Sequence, residues 1–246
     1  MTETGATTIA PLQNIMLCTK ALDRAISRPQ HLPGMVVFYG PSGFGKSMAA
    51  CYAMNKYNAV YIECKSTWTR KAILTAIARE LGVVPAATMY GLTDQISGAL
   101  VLSGRPLIID EVDYIVDRQA VEIIRDLHEG SQAPILLIGE EKLPVKLKKW
   151  ERFHGRILDF VQAQAADFND AAILARFYCK KVAISEDLLA SVTDVARGSA
   201  RRICVNLAYI EEETLTRGRR EVDLAAWHGW KKHFFTGEAP VRAVLS

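Results

Sequence analysis

The five residues Met35–Tyr39 run straight into Gly40-Pro41-Ser42-Gly43-Phe44-Gly45-Lys46-Ser47, and an alanine-containing stretch with helical character follows. A buried strand, a glycine-rich loop and a helix in that order leave few folds open. The spacing is a complete G-x-x-x-x-G-K-S: its glycines let the backbone curl with N–H groups pointing inward, and the helix N-terminus adds positive partial charge. Such a loop cradles phosphates. Lys46 is placed to reach the β- and γ-phosphates of a nucleotide, and Ser47 to offer its hydroxyl oxygen to Mg²⁺. Gly40, Pro41, Ser42, Gly43, Phe44, Gly45, Lys46, Ser47 and Met48 are therefore the candidate nucleotide contacts, with ATP and Mg²⁺ as the expected ligands.

Four more short apolar runs read as strands: Val60 to Glu63, Pro106 to Asp110, Pro134 to Ile138 and Arg156 to Val161. Most are apolar throughout, with no alternation, as parallel strands covered on both faces should be. Helical patterns of crossover length lie between them, at Ser47 to Lys56 and at Arg70 to Leu81. Another, with Val121, Ile124, Leu127 and His128 on one face, is expected to stop at Gly130. After about Ala165 the strand pattern ceases, and helices are expected at Asn169 to Val182, Glu186 to Ala196, Ser199 to Thr216 and Val222 to Phe235. The expected fold class is α/β, a P-loop NTPase with a five-stranded parallel sheet and a C-terminal α-helical lid. The expected boundaries are 1–34 for an N-terminal helix (Leu12 to Ile26) and linker, 35–165 for the nucleotide-binding core, 166–236 for the lid and 237–246 for a mobile tail.

The third strand ends Leu107-Ile108-Ile109-Asp110-Glu111, which delivers two carboxylates to the edge of the sheet where the phosphate loop emerges. In P-loop NTPases an acid here holds Mg²⁺ and a following glutamate can polarise the attacking water. Asp110 is the expected metal ligand and Glu111 the catalytic residue that polarises the attacking water. Asp113 is expected to be a solvated loop residue or a helix cap.

Composition narrows the partners. The 246 residues carry a net charge of +3, spread evenly, so any nucleic-acid binding must come from local clusters. Five cysteines with no CxxC pair suggest a reducing compartment and no structural zinc. With neither a signal-peptide pattern nor an apolar run of the ~20 residues that a membrane span needs, the expected setting is cytoplasmic, with no membrane partner.

Taken together, the loop, the Asp110-Glu111 pair and the lid pattern resemble the AAA+ ATPases, a family that completes its hydrolytic site across a subunit boundary. The resemblance implies further site residues. Its first sensor falls near Glu140, in Ile138-Gly139-Glu140-Glu141, where the family usually has a neutral polar side chain. Gly155-Arg156-Ile157 is similar to the arginine-finger segment of the initiator-like branch, with Arg152 in reserve; a planar, permanently charged guanidinium suits phosphate oxygens. Gly198-Ser199-Ala200-Arg201 is similar to the second-sensor motif, which makes Arg201 a catalytic and nucleotide-contacting candidate, with Arg202 in reserve. The stretches Ile108-Ile-Asp-Glu-Val-Asp-Tyr114 and Ile135 to Arg156 look like those of the bacteriophage Mu transposition protein B and TnsC group. That likeness implies an ATPase stimulated by DNA and transposase. It would oligomerise head to tail, as a ring or helical filament, on double-stranded DNA and deliver target DNA to a DDE transposase in a bacterial host.

Two basic clusters could serve such binding. Lys65-Ser66-Thr67-Trp68-Thr69-Arg70-Lys71 offers a helix N-cap, three cations and an aromatic ring, so Lys65, Thr67, Trp68, Arg70 and Lys71 are candidate DNA contacts. A solvated face with Trp68 tucked into the core is the other reading. Lys142 to Arg156 holds six basic residues against one acid, Glu151. As a single helix it would place Lys146, Lys149, Arg152 and Arg156 on one face, for a subunit interface or for DNA. Two other functions stay open, an initiator or helicase-loader ATPase and a nucleotide-gated scaffold with negligible turnover.

Overall fold

The computed structural model describes residues 10–238, which divide into two units. One comprises residues 14–42 and 46–163. The other gathers residues 10–13, 43–45 and 164–238 among those described.

The first unit is a parallel sheet wrapped by helices. Its strands are β1 (Met35–Tyr39), β2 (Val60–Glu63), β3 (Leu107–Asp110), β4 (Ile135–Gly139) and β5 (Ile157–Gln162), in the order β2-β3-β4-β1-β5. All four pairings are parallel. From β1 the chain passes to the far edge for β2, returns strand by strand to β4, and crosses β1 to finish at β5. Every residue of β3 and β4 is buried, which explains why β4 is apolar throughout and β3 is apolar up to the Asp110 that closes it.

Around the sheet lie α1 (Gln13–Ile26), α2 (Lys46–Tyr57), α3 (Arg70–Glu80), α4 (Met89–Ser103), the single-turn α5 (Asp113–Asp117) and α6 (Glu122–Ser131). Two further short helices, α7 (Leu143–Leu147) and α8 (Glu151–His154), precede β5. Met35, Val37, Ile109 and Leu137 pack with Ile73 and Ile77 of α3, Leu92 and Ile96 of α4, and Ile124 and Leu127 of α6. Strand periodicity sends Val36, Phe38, Leu136 and Ile138 to the opposite face, where α2 packs on β3 and β4.

The five strands and most helices lie within a residue or two of their predicted positions. Helix α4 has no predicted counterpart: Gly91 and Gly98 interrupt its sequence, and burial of Leu92, Ile96 and Leu100 against neighbouring helices supplies what propensity does not. Helix α6 runs through Gly130 and stops at Gln132, whose φ of 54° ends it in the left-handed region. The basic run 142–156 is not one helix. It breaks between α7 and α8, with Trp150 at φ −112°, ψ 74°, so the expected shared face of Lys146, Lys149, Arg152 and Arg156 does not form.

The second unit contains α9 (Phe168–Tyr178), α10 (Glu186–Ala196), α11 (Ala200–Thr216) and α12 (Leu224–Gly229), with a two-residue parallel pairing of β6 (Ala183–Ile184) and β7 (Glu221–Val222) that the apolar patterning does not predict. Asp167, Ser199 and Asp223 cap α9, α11 and α12 through their side-chain oxygens. Fully buried Trp227 meets Tyr209 edge-on and stacks on Phe234. The last helix is shorter than expected because Lys231 turns left-handed, and Asn206 then pins the chain by exchanging two hydrogen bonds with the Phe235 backbone. Most of the expected tail, 239–246, lies outside the described residues.

Candidate functional site

The phosphate loop grows from the end of β1, at the centre of the sheet. Gly40 donates to the Gly139 carbonyl at 3.3 Å, which ties the loop to the end of β4. Gly43 and Gly45 hold φ of 85° and 83°, a conformation that side chains other than glycine rarely adopt, and so turn the backbone towards the start of α2. Lys46 is half-buried, and its Nζ donates to the Gly40 and Pro41 carbonyls at 2.8 and 2.9 Å. Ser47 and Met48 are exposed.

One strand beyond β4, Asp110 closes β3 and is 2% exposed. Its Oδ1 accepts the Glu111 N–H at 2.8 Å, and its Oδ2 the Tyr61 hydroxyl at 3.2 Å. Half-buried Glu111 follows at φ 54°, a left-handed conformation that costs a non-glycine residue about 1 kcal/mol. Burial, then Asp110, pushes the Glu111 carboxyl above its ordinary range, against the pull of Lys46. Burial likewise draws the Lys46 ammonium below its usual value, while Glu111, Asp110, Glu140 and Asp113 oppose the shift. The loop cation and these acids therefore share one electrostatic environment at the same edge of the sheet.

The oxygen donors present suit Mg²⁺. Ser47 is exposed and each Asp110 oxygen keeps a lone pair, so hydroxyl and carboxylate oxygens of the kind that Mg²⁺ takes would be available to it. Among the described residues no group of three or more His, Cys, Asp or Glu side chains could hold a metal by itself.

The remaining candidates are placed as follows. Glu140, after β4, is exposed, and its N–H donates to Asp113 Oδ2 at 2.7 Å. Asp113 is neither solvated nor a side-chain cap: it is 5% exposed and paired with Lys146 at 3.0 Å. Arg156 is exposed ahead of β5, where its Nε and Nη2 donate to Glu129 Oε1 at 3.0 and 2.8 Å. It lines an open cleft with Arg125, Glu129, Glu151 and Arg152. In the second unit Arg201 has an exposed side chain, and its backbone N–H donates to the Gly43 carbonyl at 3.1 Å.

In the first basic cluster Thr69 caps α3, accepting the Ala72 N–H at 3.2 Å. Lys65, Thr67 and Lys71 are exposed. Arg70 donates to the Gln119 carbonyl at 2.7 Å, and the Trp68 ring packs against the core. The aromatic ring is thus structural in this arrangement, and the free cations are fewer than the sequence suggests. Two residues at the site escape a reading by spacing: Tyr61 is separated from Asp110 by 49 positions, and Lys146 falls on the basic face of a helix that breaks.

Residues 30–147 match the family model described as AAA domain. No curated protein matches the chain. Among solved structures, Cdc6p from Pyrobaculum aerophilum aligns with a TM-score of 0.66 at 15% identity, over 90% of this chain and 66% of that one. The Orc1 protein from Aeropyrum pernix, solved in complex with DNA, aligns with a TM-score of 0.62 at 14% identity, over 89% of this chain and 63% of that one. The chain thus spans just under two thirds of the length of either protein. At such identities the likeness is one of fold, and residues 30–147, just under half of the chain, are similar to an AAA domain.

Proposed function

We propose that the chain is an ATP-hydrolysing AAA+ switch that assembles head to tail on double-stranded DNA with little regard for base sequence, and that it hands target DNA to a DDE transposase. The observation that carries the nucleotide chemistry is the shared environment of Lys46 with Asp110 and Glu111. Lys46 exchanges its two loop carbonyls for phosphate oxygens of the incoming nucleotide. Glu111 orients a water whose oxygen attacks the γ-phosphorus as the bond to the ADP oxygen breaks, and takes up a proton from that water. Ser47 and Asp110 would hold Mg²⁺, which would supply positive charge against the developing phosphate charge.

Arg156 serves the nucleotide of a neighbouring copy. A donor on one surface and an acceptor site on another make a heterologous contact, which closes as a ring or continues as a filament. Arg201 senses the γ-phosphate. Weak DNA contacts through Lys65 and Lys71 then repeat along the polymer, which compensates for a subunit charge of only +3.

A second reading, an initiator or helicase-loader ATPase, is favoured by the fold likeness to Cdc6p and to the DNA-bound Orc1 protein. Electron microscopy with ATP and duplex DNA tests the first of these two readings: rings or filaments should form and be lost in Lys46→Ala, and isolated monomers on DNA would sink it. Turnover then separates them. It should rise when DNA and a DDE transposase are added together, and stimulation by a replicative helicase instead selects the initiator reading. Negligible turnover under every condition leaves the scaffold.

A further inference from the structure

The loops that leave β3 and β4 are fastened together by a pair of side chains that the phosphate chemistry does not use. Val112 donates its N–H to the Ile138 carbonyl at 2.9 Å, and one residue later buried Asp113 accepts the Glu140 N–H at 2.7 Å. Gly139, between those acceptor and donor residues, is buried, and a Cβ there would collide with Asp113 Oδ2 and Leu143 Cδ2. The second Asp113 oxygen faces Lys146 Nζ at 3.0 Å, and Lys146 also reaches Asp117 at 3.0 Å. Lys146 stands on α7, and only the short α8 separates α7 from Arg156.

Glu111 needs such fastening because its left-handed backbone is not the conformation that it would adopt alone. Upstream its N–H is held by Asp110 Oδ1, and downstream the chain is held by the Val112 and Asp113 bonds to β4. An ion pair with one buried and one partly exposed member adds little net stability compared with well-packed apolar groups, but it does specify a geometry. We infer that Asp113 and Lys146 are a positioning pair: they hold Glu111 and the Glu140 backbone in hydrolytic register and link that register to the segment that presents Arg156. This inference rests on the reading of Glu111 as the residue that orients water.

Kinetics on the full-length chain with ATP and duplex DNA test it, with nucleotide affinity read separately by titrating a fluorescent ATP analogue. Lys146→Gln, at a partly exposed side chain, and Asp113→Asn should each lower kcat about tenfold with the nucleotide Kd within about twofold of the parent, the signature of weakened transition-state stabilisation. The double variant should lose no more than either single one, because the two side chains act as a unit. Lys146→Arg should recover most of the rate. Lys146→Gln at the parental rate, or a fall in kcat matched by equal falls in affinity and melting temperature, would overturn the pairing. If Asp113→Asn does not fold, the Lys146 variants decide alone. Glu111→Gln run in parallel keeps the two levels apart: if it retains full turnover, the reading of the site fails and the pair fails with it. An inactive Glu111→Gln beside a fully active Lys146→Gln removes the pair only.

Discussion

His128 shows how one buried side chain can set the response of the sheet unit to acid. It lies on α6 at 2% exposure, with Nδ1 2.9 Å from the Ala133 carbonyl. Burial pulls its pKa below the ordinary 6.5, Arg28 and Arg156 add to that pull, and the Ala133 contact and Glu129 oppose it. The folded state therefore prefers the neutral ring, whereas the unfolded chain takes up a proton from about pH 6.5 downward. Stability from this residue is complete above that pH, falls as the pH drops through it, and levels off once the folded ring is itself protonated. Thermal melts from pH 8 to 5 should show that loss in the parent and a flatter profile in His128→Gln; parallel profiles would rule His128 out as the source. At this scale the turn of the glycine-rich loop is legible in the sequence, because Gly43 and Gly45 stand within one short motif. The partners of Asp113 are not, since they come from Glu140 and Lys146, 27 and 33 positions further on.

Elements are readable where local chemistry and tertiary demand agree. Thr69 starts α3 as its sequence suggests, and Thr69→Ala should cost about 1 kcal/mol by leaving the Ala72 N–H without its cap. Urea denaturation can measure this, and a change below a few tenths of a kcal/mol would mean that packing of Trp68 and Ile73 alone holds the helix start. Elements escape a sequence reading where the two diverge. Helix α4 forms despite two internal glycines because three leucine or isoleucine side chains are buried on it. The run 142–156 has the basic spacing of one helix, yet it breaks so that Leu143, Leu147 and Phe153 can all reach the core. A helical wheel assumes continuity, and three-dimensional burial decides otherwise.

For the whole molecule, function depends on cations left free after the fold has used its own. Arg70 is engaged with Gln119, whereas Lys65 and Lys71 are exposed with no ion pair among the described residues. Replacing Lys65 and Lys71 together with Ala should lower the slope of log affinity against log salt by about 0.9 for each phosphate that is no longer neutralised. Duplex binding measured between low and physiological salt checks this, and an unchanged slope would move the DNA interface elsewhere. Sequence alone determined the strand–loop–helix nucleus, the Asp110-Glu111 pair and the parallel α/β class, because each is written in neighbouring residues or in a repeating apolar pattern. Tertiary structure decided which charges remain available, that Trp68 packs inward, and that Asp113 joins two strand ends. Those outcomes depend on groups brought together from distant positions by burial, and no local spacing encodes them.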